Sequence, residues 1–205
     1  MSSSPPETRI DLLRHGEPVG GRRYRGQTDD PLSDKGWQQM RSAVAGLNEW
    51  DLIYTSPLSR CAAFAAELAA RLGLPLATDA RLMEIGFGAW EGRTAEELRR
   101  DDPLRIERFW RDPVANRPPG AEPVADFHAR VRSAWQDILA AHAGARILIV
   151  GHAGITRMIL SIALGSPPEH MFRIQVENAG LTRLRVRGRG DELFPMLEFH
   201  GRGLR

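Results

Sequence analysis

The sequence predicts an α/β fold, with a mostly parallel central sheet covered by helices on both faces. Two observations carry this. Short apolar runs at residues 10–13, 52–54 and 147–150 alternate with segments of helical periodicity. Two of these runs stop abruptly at a histidine flanked by glycine, Arg14-His15-Gly16 and Gly151-His152-Ala153-Gly154, as strands do when they deliver a loop to the ligand-binding edge of a parallel sheet.

Residues 10–13 form the first buried strand. Ser33 or Asp34 then caps a helix whose apolar positions recur at Met40, Val44 and Leu47, and residues 52–54 form the second strand. After Thr55-Ser56-Pro57 an alanine-rich helix runs to Leu72, with Gly73 as its C-terminal stop and a third short strand at 74–77. The alternation breaks over 94–123, where helices at 94–100 and 104–111 and the loop Pro118-Pro119-Gly120 read as an insertion covering the active site. A long amphipathic helix over 124–142, the strand at 147–150 and a helix over 155–164 restore it. Strand-like runs at 172–176, 181–186 and 194–199 close the chain, with an antiparallel edge possible. Residues 1–8 are expected to be a disordered tail, and 9–205 a single domain.

With 205 residues, 42% of them hydrophobic, the chain can bury one sizeable core. Its 28 Lys and Arg against 26 Asp and Glu leave a net charge of +2, too small to argue for nucleic acid. Arg183, Arg185, Arg187 and Arg189 alternate along one strand and its turn, and an edge strand protected by charge explains them as well as nucleic acid does. Lys35 is the only lysine; arginine suits bidentate phosphate capture, although genomic base composition accounts for the bias equally. The single cysteine, Cys61, excludes an intramolecular disulfide framework and a multi-thiolate metal site. Residues 1–7 lack the apolar stretch of a secretion signal, and no apolar run approaches the ~20 residues of a membrane span, so a soluble cytoplasmic protein is expected.

A histidine after a buried strand and before a glycine faces a crevice, and a neutral imidazole nitrogen can attack phosphorus. His15 and His152, at equivalent strand ends, are expected to share one site. Arg14 beside the first histidine, and Arg60 in the first turn of a helix, would offer guanidinium donors to equatorial phosphate oxygens, and the helix N-terminus would add its own N–H groups. Glu84, between Met83 and Ile85, lies in apolar surroundings that would raise a carboxyl pKa toward that of a general acid; a salt-bridge role is the alternative.

Leu13-Arg14-His15-Gly16-Glu17, Gly26-Gln27-Thr28-Asp29-Asp30-Pro31-Leu32-Ser33, Thr55-Ser56-Pro57-Leu58-Ser59-Arg60-Cys61, Glu84-Ile85-Gly86-Phe87-Gly88-Ala89-Trp90-Glu91-Gly92 and Gly151-His152-Ala153-Gly154 together resemble the histidine phosphatase (phosphoglycerate mutase-like) superfamily. The resemblance implies a three-layer α/β/α sandwich. It implies His15 as a nucleophile that becomes phosphohistidine, Arg14, Arg60 and His152 as the phosphate pocket, and Glu84 as proton donor, with no metal or cofactor. The family's first loop often supplies an Asn and a Ser or Thr to the phosphate; here that loop reads Gly20-Gly21-Arg22-Arg23-Tyr24-Arg25, and Arg25 or Gln27 would stand in. Those missing contacts and the short segments over the site favour a hydrolase of small phosphomonoesters over a cofactor-dependent mutase. Within the family the blocks look most like the alpha-ribazole-5′-phosphate phosphatases of cobalamin assembly, with a broad-specificity phosphatase or a non-catalytic binding module as alternatives.

Overall fold

The computed structural model describes residues 7–188 and 190–202. Its elements are β1 (Glu7–Arg14), α1 (Asp34–Ala43), β2 (Leu52–Thr55), α2 (Ser59–Leu72), β3 (Leu76–Thr78), α3 (Ala95–Asp101), α4 (Arg105–Arg111), α5 (Val124–Ala141), β4 (Arg146–Gly151), α6 (Ala153–Ala163), β5 (Leu181–Arg187) and β6 (Phe194–Arg202). The strands form one six-stranded sheet in the order β3-β2-β4-β1-β5-β6. β3, β2, β4 and β1 run parallel, whereas β5 and β6 are antiparallel to their neighbours.

Side-chain alternation along the central strands divides the core into two layers. Ile10, Leu12, Ile147 and Ile149 point to one face, where Phe127, Val131, Ile138 and Met158 of α5 and α6 cover them. Leu13, Leu148 and Val150 point to the other, against Met40 of α1 and Phe64, Ala65 and Leu68 of α2. Burial on both faces is why these strands read as apolar runs. Local signals set the helix ends: the Ser33 side chain accepts from Gly36 N, Thr94 and Glu97 form a reciprocal capping box, and Gly73 ends α2 with φ of 66°.

Several boundaries differ from the sequence expectation. β1 starts at Glu7, paired with Arg187, so residues 7 and 8 belong to the sheet; residues 1–6 lie outside the described residues. β3 begins two residues late, because Leu74 N donates to Ala69 O and continues the helix cap. The expected strand at 172–176 is the end of a 3₁₀ helix, Pro168–Arg173, followed by a stretch that joins no sheet. β1 already has β5 on that side, and the carbonyls of Ile174 and Val176 accept from arginine side chains instead.

The arginines of β5 are paired within the protein: Arg183 with buried Asp11, Arg185 with Glu198 and Arg187 with Glu7. Arg189 lies outside the described residues. Among the described residues no helix is long and apolar enough to cross a membrane.

Candidate functional site

Parallel pairing of β1 and β4 sets Arg14 opposite Gly151, so the residues that follow, His15 and His152, emerge side by side at the C-terminal edge of the sheet. Their rings meet edge to face with centroids 5.2 Å apart. His15 Nδ1 lies 2.7 Å from Gly16 O; a carbonyl can only accept, so Nδ1 carries the hydrogen and Nε2 keeps its lone pair. Burial first, then the cationic Arg14 and Arg60, holds the His15 pKa well below the ordinary imidazole value. Burial, then Arg60, does the same to His152, whose Nε2 lies 2.8 Å from Ser56 Oγ.

Gly16 serves close packing more than a sharp turn. A Cβ there would lie 2.3 Å from Gly36 O, and one on Gly36 would lie 2.1 Å from Glu17 O. The two glycines let the first turn of α1 lock against the loop that carries His15.

Arg14 and Arg60 are both held by backbone carbonyls. Arg14 Nη1 donates to Val176 O at 2.6 Å, and Arg60, 1% exposed, donates to Thr28 O and Gly26 O at 2.7 and 2.8 Å. Neither forms an ion pair with a carboxylate among the described residues, and the Nε of each is buried without a partner. Burial lowers the Arg14 pKa to about 10. The expectation that the α2 N-terminus offers its N–H groups to an anion needs correction: Asp29 Oδ1 already accepts from both Ser59 N and Ser59 Oγ.

Arg25 is committed to its own loop. Its Nε pairs with Asp30, and its Nη2 donates to Val19 O and Gly21 O, both at 2.6 Å. Gln27 reaches the Glu84 main chain, with Nε2 3.3 Å from the carbonyl.

Glu84, 9% exposed, sits on backbone donors and not in the purely apolar setting that its neighbours in sequence suggested. Oε1 accepts from Ile85 N at 3.0 Å and Oε2 from Gly154 N, at the start of α6, at 3.1 Å. A Cβ on Gly154 would lie 2.1 Å from Oε1, so glycine is required for this approach. Arg130 supports the segment from behind, pairing with Glu122 and donating to the carbonyls of Arg81, Met83 and Glu84.

Three residues hold the surroundings of the site in roles that sequence reasoning did not assign. Glu91 accepts from Gln27 N, Thr28 N, Thr28 Oγ1 and Phe87 N, clamping the loop whose carbonyls hold Arg60. Asp29 ties the same loop to α2. Arg157 of α6 donates from Nε to Ile174 O at 2.8 Å. Glu91 and Asp29 lie inside the quoted motif blocks, the one signal that pointed to them; Arg157 lies in none.

Cys61 is buried, donates to Gly151 O at 3.3 Å, and burial pushes its thiol pKa up. A cavity of about 330 Å³ lined by Trp90, Arg93, Arg105, Arg108 and Arg117 includes none of these site residues.

The profile of the Histidine phosphatase superfamily (branch 1) matches residues 10–195. A bifunctional protein of Mycobacterium tuberculosis is 34% identical over 180 residues, which is 85% of this chain and 49% of that protein. The chain thus spans about half the length of the first curated relatives it matches. A probable phosphoglycerate mutase of Yersinia enterocolitica is 33% identical over 184 residues, 85% of this chain and 83% of that protein. Among solved structures, a mycobacterial glucosyl-3-phosphoglycerate phosphatase superposes with a TM-score of 0.83 at 27% identity, covering 96% of this chain and 99% of its own. The alpha-ribazole phosphatase of Shigella flexneri gives 0.77 at 26%, covering 95% and 96%.

Proposed function

The chain belongs to the histidine phosphatase superfamily, and from that premise we propose that it is a phosphatase, hydrolysing small phosphomonoesters through a phosphohistidine on His15, without a metal. The observation that supports this best is the state of His15. A buried imidazole held neutral, with Nδ1–H fixed on Gly16 O, presents the Nε2 lone pair beside two guanidinium groups that lack a carboxylate partner among the described residues.

Nε2 attacks phosphorus, the N–P bond forms, and the P–O bond to the leaving group breaks. The electron pair of that bond stays on the leaving oxygen, which takes a proton from Glu84. Arg14, Arg60 and His152 carry the phosphoryl oxygens through the transition state, where charge spreads over them. Water, relieved of a proton by the Glu84 carboxylate, then attacks phosphorus, frees inorganic phosphate and restores His15. Arg25 and Gln27 shape the loop around this centre, and segment 94–123 covers it.

Hydrolysis is preferred to mutase transfer, because the loop that would add Asn and Thr contacts is short. Alpha-ribazole 5′-phosphate is the substrate suggested by the sequence blocks, and the Shigella phosphatase of that name shares the frame. The mycobacterial glucosyl-3-phosphoglycerate phosphatase shares it too. His15 and its partners grip only the phosphate, so residues around the leaving group make the choice.

The test is a quench of enzyme turning over a radiolabelled phosphomonoester. Wild type should trap an acid-labile, alkali-stable phosphoryl label, as an N–P bond is, and His15→Ala should lose both label and turnover. A label that survives acid, as on Ser56, would overturn the proposal.

A further inference from the structure

Arg14 and Arg60 beside His15, and Arg157 beside Arg14, form no ion pair among the described residues, whereas Arg25 pairs with Asp30. The chemistry above uses Arg14 and Arg60. Arg157 is left over.

Its position is defined by two elements. On α6, Gly154 packs directly against the Glu84 carboxylate, and Arg157, three residues on, rises from the same helix face. Across from α6, Arg157 Nε donates to Ile174 O while Arg14 Nη1 donates to Val176 O. Ile174 is extended, with φ of −97° and ψ of 119°, and its carbonyl and that of Val176 lie two residues apart on the stretch after the 3₁₀ helix. The two guanidinium groups stand close enough for the Arg157 charge to add to burial in lowering the Arg14 pKa, and Glu84, which would meet the leaving oxygen, is the first charge that acts on Arg157, so Arg157 stands on the leaving-group side of Arg14. Among the described residues the terminal nitrogens of Arg157 find no acceptor; unlike Arg14 Nε and Arg60 Nε, they remain accessible. The Phe172 ring, 5.5 Å from the guanidinium carbon, backs this placement.

The charges point the same way. When Glu84 carries the proton that it will donate, a dianionic phosphate and Glu177 face Arg14 and Arg60, and Arg157, largely buried, keeps no counter-ion among the described residues. Burial already lowers its pKa. An uncompensated charge in such a place is costly, and a substrate that brings a third negative charge removes the cost. Planar guanidinium matches planar carboxylate.

We propose that Arg157 receives a carboxylate carried by the leaving group, so that this enzyme selects phosphomonoesters of small hydroxy acids over phosphomonoesters of neutral alcohols. This specificity rests on the phosphohistidine reading of His15. It ranks alpha-ribazole 5′-phosphate, whose leaving group carries no anion, below the phosphorylated acids.

Matched pairs of substrates test it: 3-phosphoglycerate against glycerol 3-phosphate, and O-phosphoserine against O-phosphoethanolamine, each differing at the carboxylate. Wild type should favour the acid of each pair in kcat/KM by about 10- to 100-fold, the range of a charge-assisted hydrogen bond. Arg157→Gln should bring that ratio near one, because the loss falls on the acids, and Arg157→Lys should restore part of it. A thermal melt that matches wild type reports a folded variant, and the wild-type ratio needs no variant at all. A wild-type ratio near one, a ratio unchanged in Arg157→Gln, or alpha-ribazole 5′-phosphate outrunning both acids would overturn the role of Arg157 while leaving the His15 chemistry standing. Absence of turnover and label with every phosphomonoester would instead overturn the His15 reading, and this proposal with it.

Discussion

Replacing Glu84 with glutamine separates two roles that one carboxylate combines. Structurally, the carboxylate accepts from two backbone donors, Ile85 N on one oxygen and Gly154 N on the other. A glutamine amide offers one oxygen, and its NH₂ would face the second donor, so one buried N–H loses its acceptor at a cost of about 1–3 kcal/mol. At this chain length each kcal/mol lowers Tm by about 2–4 °C, which makes Glu84→Gln several degrees less stable in a thermal melt. Chemically, glutamine has no proton to give. A positioned acid is typically worth about 10²–10⁴-fold, and the loss should fall on poor leaving groups. Single-turnover labelling should show a drop in that range with glycerol 3-phosphate and a much smaller one with p-nitrophenyl phosphate, whose phenolate departs unprotonated. Equal losses on the two substrates would refute the acid role and leave Glu84 as a residue that positions Gly154 and α6. Two other carboxylates of the motif blocks are engaged: Glu91 clamps the loop at Gln27 and Thr28, and Glu17 pairs with Lys35.

Gly36→Ala would place a methyl 2.1 Å from Glu17 O, against backbone that cannot swing away. Urea unfolding should show about 1–3 kcal/mol of overpacking cost, accompanied by reduced turnover as the His15 loop shifts; an unchanged midpoint and rate would refute the packing argument. Burial holds His15 and His152 neutral in the fold, whereas the unfolded chain protonates them as pH falls through 6.5, so the unfolded state binds the extra protons and stability declines below that pH. Each histidine that stays neutral contributes about 1.4 kcal/mol of loss per pH unit, and urea titrations at pH 7.5 and 5.5 should give a shallower decline for His15→Ala than for wild type; identical declines would contradict the burial effect. Activity should persist in excess chelator and be blocked by vanadate, which adopts the five-coordinate shape of the transferring group; loss in chelator with recovery on adding Mg²⁺ or Zn²⁺ would contradict a histidine nucleophile.

His15 and His152 could be paired from the sequence alone because the rule that joins them is local: a strand buried on both faces must be an apolar run, and the residue after it emerges at the sheet edge. The helix caps at Ser33 and Gly73 were legible for the same reason, since each depends on a side chain and its immediate neighbours. The segment 172–176 carries the composition of a strand, but whether it pairs depends on which strand already occupies that side of β1, and β5 does. Composition also suggested an open helix N-terminus at Arg60, whereas Asp29, brought back by the fold of the first loop, fills it. Arg157 illustrates the limit most clearly. One arginine among many on an amphipathic helix carries no local mark, and only the crossing of α6 with the stretch after the 3₁₀ helix sets it beside Arg14, on carbonyls 162 residues from Arg14 and 17 from itself. Charge acts through space, so the sequence determined which groups could react, and the tertiary structure decided which cations were left without a counter-ion around them.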